Sequence, residues 1–141
     1  MASADNAMAA HDYQKALDLY DGLIDWKGEG TVAPAARFKA SMESVKCLLS
    51  LKQPKEGVER FQKMFGSYPE LEAEGAYKHT LAVLRTLDDA RADAAISIDL
   101  LELAKEKHPE QKEKFGEWVK KLMDRNLDSE LVARLKKLGY L

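Results

Sequence analysis

Apolar residues return every three or four positions along almost the whole chain, which is the period of an α-helix. Four prolines, Pro34, Pro54, Pro69 and Pro109, cut that pattern into short pieces. No stretch of strict apolar-polar alternation is long enough for a strand. A chain patterned this way buries one stripe per helix and must pack helix on helix. The expected fold is therefore all-α: stacked antiparallel helical hairpins, about seven helices, in a single domain spanning residues 1–141. The hairpins are expected at about 11–52, 54–87 and 90–124, with a capping helix at about 128–138.

The punctuation places the elements. The first helix carries Tyr13, Ala16, Leu17, Tyr20, Leu23 and Ile24 and stops in the glycine-bearing run Lys27–Gly30, because glycine makes continuation costly. Pro34 suits a first helical turn, where its missing N–H has no partner to lose. Phe38, Met42, Val45, Leu48 and Leu49 follow. Pro54 opens a helix with Val58, Phe61, Met64 and Phe65; Pro69 opens one with Ala73, Tyr77, Leu81 and Leu84. Asp88-Asp89 reads as a break and an N-cap, since short carboxylates accept bonds from free first-turn N–H groups. Ala94, Ile98, Leu101 and Ala104 come next, then Phe115, Trp118, Val119 and Leu122 after Pro109. Asp128 or Ser129 caps a last helix with Leu131, Val132, Leu135 and Leu138, and Gly139 stops it.

A repeat underlies this order. Gly57, Phe61, Met64 and Pro69 share their spacing with Ser97, Leu101, Ala104 and Pro109, and with Ala16, Tyr20, Leu23 and Gly28, where glycine stands in place of the proline. The small residue admits a neighbouring helix, the large one fills the space a turn later, and proline limits the helix. These residues, and the run Asp12-Tyr13-Gln14-Lys15-Ala16-Leu17 with Tyr20, resemble the second helix of tetratricopeptide repeats over about residues 11–124. Leu23 and Met64 stand where that family prefers a small residue, and the units are longer than its 34 residues. The resemblance implies right-handed stacking and a concave groove. It implies that the groove is lined by the helix after each motif, here those carrying Phe38, Tyr77 and Phe115.

Chemistry is sparse. Cys47 has no histidine beside it in sequence, and adjacent Lys46 projects elsewhere on a helix, so a packed thiol is expected. His11, His79 and His108 share no metal-ligand spacing. His108 is expected as a cation favouring a helix C-terminus. Gly28-Glu29-Gly30 lacks the context of a phosphate loop. Trp26 and Trp118 read as core or hairpin-seam residues rather than exposed stacking platforms, and Lys120, Lys121, Arg125, Arg134, Lys136 and Lys137 as a solvated face of the terminal helices. No catalytic residue, metal ligand or cofactor is expected. Residues 1–70 hold 9 basic and 10 acidic side chains and residues 71–141 hold 13 and 14, so no basic field invites nucleic acid. No apolar run could span a membrane. The first ten residues lack the parts of an intact signal peptide, which points to a cytoplasmic protein, or alternatively to a secreted or periplasmic mature chain.

The expected function is a protein-protein interaction module or scaffold that binds a peptide or partner protein in a helical-repeat groove. The alternative is an oligomerisation domain or a segment of a longer helical solenoid. Lys39 and Lys46 stand seven residues apart beside one apolar stripe, and Lys78 and Arg85 repeat the separation beside another. These four cations are the expected partner-binding residues, suited to an acidic peptide or a chain-terminal carboxylate.

Overall fold

A computed structural model describes residues 2–26 and 32–140. The protein is all-helical, and the described residues form eight α-helices and no strand: α1 (Ala2–Ala9), α2 (Tyr13–Ile24), α3 (Pro34–Ser50), α4 (Pro54–Met64), α5 (Tyr77–Asp89), α6 (Ala94–Lys107), α7 (Lys112–Met123) and α8 (Ser129–Lys137). Short 3-10 turns occupy Pro69–Leu71 and Pro109–Gln111. The chain divides into two compact units, Met1–Ala73 and Glu74–Leu141. The expected Lys27–Gly30 break and the repeat position Gly28 lie outside the described residues.

In the first unit α2 packs between α1 and α3, and α3 also packs on α4. The core gathers Ala4 and Ala7 of α1, Ala16, Leu17 and Tyr20 of α2, and Ala40, Cys47 and Leu48 of α3. Tyr20 is fully buried and its hydroxyl donates to Asp5 Oδ1 at 2.7 Å. Burial first, then the Asp5 hydrogen bond, raises the phenol above its ordinary range. The helix α1 had no place in the expected seven. Its buried residues, Ala4 and Ala7, are too small to mark a stripe by hydrophobicity, and among the described residues Met8 is the one larger side chain it packs on the core.

Gly57 sits where two helices meet. A Cβ on Gly57 would lie 3.0 Å from Leu49 Cδ2 and 3.4 Å from the Val45 carbonyl oxygen, so α4 rests directly on α3. Ala16 and Ser97 are buried at the matching positions, with Tyr20, Phe61 and Leu101 fully buried one turn on.

One turn recurs three times. After α1, α3 and α5 the chain passes through His11 (φ 60°), Lys52 (φ 63°) and Arg91 (φ 54°). The next N–H in each case reaches back to the carbonyl five residues earlier: Asp12 to Ala7 at 2.9 Å, Gln53 to Leu48 at 2.9 Å, Ala92 to Leu87 at 3.0 Å. The N–H groups of His11, Lys52 and Arg91 bond Met8, Leu49 and Asp88, which completes a Schellman motif and satisfies carbonyls that a helix end leaves free. The same turn therefore joins α1 to α2, α3 to α4, and α5 to α6. The hairpins expected from sequence are offset from these turns by one helix, because α1 was not foreseen.

In the second unit α6 is central, packing against α5, α7 and α8. Leu135 and Leu138 of the last segment are buried, and Arg134 binds Asp99 and Glu102 of α6. The terminal helix thus covers α6 as well as α7, where α7 alone was expected. Two other expectations are corrected. Pro69 opens only a 3-10 turn, and α5 starts at Tyr77. Asp88-Asp89 ends α5 rather than capping α6, whose cap is Asp93, accepting from the Ala95 N–H at 3.1 Å. Asp128 caps α8 as read from sequence, accepting from the Leu131 N–H at 2.9 Å.

Candidate interaction groove on α5 and α7

α5 buries Thr80, Val83, Leu84 and Leu87. The expected inward stripe of Tyr77, Leu81 and Leu84 is rotated, because Thr80 turns inward. Thr80 Oγ1 lies 2.9 Å from Nε2 of His108, and the imidazole stacks on Phe115 with ring centroids 5.8 Å apart. His108 is 3% exposed. Burial lowers its pKa below the ordinary 6.5, against an opposing pull from Glu110, so the ring favours the neutral form. The expected helix-end cation is thereby corrected: a charge there would lose its water.

With Thr80 inside, Leu81 is left half-buried beside Lys78 and Arg85, which are exposed. These three and Ala82 form one wall of a groove of about 360 Å³; Lys114, Glu117 and Trp118 of α7 form the other. The two helices run in the same direction. At their N-terminal ends, Lys114 Nζ stands over the Tyr77 ring, 5.4 Å from its centroid. At their C-terminal ends, Arg125 donates to Asp88 at 2.7 Å and Lys121 Nζ lies 3.3 Å from the same carboxylate. Burial works to raise the Asp88 pKa, but the hydrogen bonds from Lys121 and Arg125 outweigh it and hold the carboxylate below its ordinary value. Lys121 Nζ also lies 4.7 Å from the centre of the Trp118 ring. Trp118 is half-buried along the groove between α5 and α7, and Trp26, expected in the core or a hairpin seam, is 44% exposed.

The four sequence-predicted cations divide between the units. Lys78 and Arg85 come together on this groove. Lys39 and Lys46 are exposed on α3 of the first unit, where Lys46 pairs with Glu43 at 3.1 Å. Other cations are also committed: Arg60 to Asp21 at 2.6 Å, and Arg134 to Asp99 at 2.6 Å. Lys78 and Arg85 form no ion pair among the described residues. Sequence reasoning missed Lys114, Glu117 and Trp118. Their signal was present as the separations of three and four that Lys78, Leu81 and Ala82 show on α5.

Cys47 is fully buried, 3.6 Å from Met8 Sδ, and burial pushes its thiol pKa up to about 11. A thiol so placed is a packing group at neutral pH. Among the described residues no group of three or more His, Cys, Asp or Glu could hold a metal ion, and no helix is long and apolar enough to cross a membrane. Comparison with known proteins gave no matching family model, no match among curated proteins and no match among solved structures.

Proposed function

We propose that the protein is a non-enzymatic interaction module and that the α5–α7 groove receives an acidic peptide segment of a partner protein. The observation that carries this reading is the convergence of Lys78 and Arg85, both exposed, around half-buried Leu81 on one groove, with neither forming an ion pair among the described residues. Lys114 adds a third cation to the rim and Trp118 an aromatic surface.

Magnitudes fix the division of labour. Exposed ion pairs contribute about 0.2–1 kcal/mol each, so the rim selects and steers while the apolar floor supplies most of the affinity. An interface this small suits a transient complex, with Kd on the order of micromolar. Trp118 provides the test. In a Trp26→Phe background its fluorescence reports on the groove alone. Titration with glutamate-rich peptides containing a leucine should shift that emission, and added salt should weaken the binding. Equal binding of lysine-rich peptides, or emission unchanged by every acidic peptide, would contradict the proposal.

A further inference from the structure

Resting on the acidic-groove reading, the register of the two walls specifies the shape of the occupant. Lys78, Leu81, Ala82 and Arg85 fall at positions i, i+3, i+4 and i+7 of α5. Lys114, Glu117 and Trp118 fall at i, i+3 and i+4 of α7, and Lys121 at i+7 is drawn onto Asp88. Such positions form one stripe along a helix and span two turns, about 10.5 Å. Because α5 and α7 run in the same direction, the stripes lie side by side. Lys78 and Lys114 mark one end, Leu81 and Trp118 the middle, and Arg85 the other end.

We propose that the groove binds an acidic amphipathic helix of the partner, with acidic side chains seven residues apart flanking an apolar pair at i+3 and i+4. Two physical arguments favour a helix over an extended segment. A helix repeats its side chains at about 5.4 Å per turn, the pitch of both walls, whereas same-face side chains of a strand repeat at about 6.7 Å and drift out of step. The walls are also helix flanks, whose backbone groups are already paired within α5 and α7. An extended peptide would find no backbone partners there, while a helix brings its own hydrogen bonds. One acidic group meets Lys78 and Lys114, the other meets Arg85. Glu117, in the middle, repels an acid at i+3 or i+4 and so enforces the apolar pair.

Three synthetic peptides of one length, measured by titration calorimetry on the full chain, test this. The first carries Glu at i and i+7 with Leu at i+3 and i+4 on an alanine-glutamine helix. The second exchanges the Glu and Leu positions, keeping composition and helicity. The third is the first with a proline at an outward central position. The first should bind at least tenfold tighter than either other. The Lys78→Glu, Arg85→Glu variant, checked for unchanged helicity, should weaken it at least tenfold. If the proline or exchanged peptide binds as tightly as the first and the charge reversal still weakens it, the helical register is wrong and the acidic groove stands. If the reversal has no effect, or no peptide binds, the groove reading falls with it.

Discussion

His108 is a buried residue through which pH acts on the second unit. Its pKa is lowered by burial in the folded state, so the unfolded chain binds its proton more readily. The stability tied to the neutral ring is present above its unfolded pKa and is lost as pH falls from there through the folded value. The denaturation midpoint should drop as pH falls below the ordinary histidine value of about 6.5, and the part of that drop due to His108 should vanish in His108→Gln. A drop that survives unchanged in the variant would place the acid sensitivity elsewhere. Phe61, fully buried beside Phe65, is the corresponding packing position in the first unit. Phe61→Ala should cost about 3–5 kcal/mol, because the surrounding helices only partly refill the space; chemical denaturation measures it. Residue spacing made Ala16, Gly57, Ser97, Tyr20, Phe61 and Leu101 readable as buried sites. Spacing does not carry desolvation, and so His108 read as a charge when its burial favours a neutral ring.

At the scale of elements, helices announced by large apolar residues were legible and those marked by small ones were not. α2 through α8 all carry such residues; α1 buries only Ala4 and Ala7 and is fixed by contacts remote in sequence, Asp5 with Tyr20 and Met8 with Cys47. The Schellman turns were hidden for a different reason: they use His11, Lys52 and Arg91 where glycine is the usual signal. An L-residue in that conformation costs about 1–2 kcal/mol, offset in part by the entropy that glycine loses on folding. Arg91→Gly should therefore be neutral or stabilising by up to about 1 kcal/mol, and Arg91→Val destabilising by at least as much. Thermal midpoints of the two variants should move apart; a common shift would remove the strain argument. α8 was foreseen from its cap and its leucines. Its anchoring on α6 was not, since the ion pairs of Arg134 join residues more than 30 positions apart. Leu135→Ala should cost about 2–5 kcal/mol. Deletion of residues 127–141 should expose the apolar face beneath α8, read as dimerisation or aggregation by light scattering; a monomeric truncation of equal stability would contradict that role.

For the whole molecule, a chain of balanced charge brings three cations, Lys78, Arg85 and Lys114, around half-buried Leu81 on one groove. The separation of seven residues was enough to put Lys78 and Arg85 on one side of α5. Which helix lies beside α5 was not legible, because it depends on tertiary packing, which brings Lys114, Glu117 and Trp118 from α7. The most direct measurement is the affinity of one acidic peptide for the wild-type chain and for Lys78→Glu, Arg85→Glu, with Lys39→Glu, Lys46→Glu as the control of equal charge change. The groove variant should lose at least tenfold in Kd, about 1.4 kcal/mol, and the control much less. Equal losses in both would mean that net charge alone governs binding and would contradict the groove.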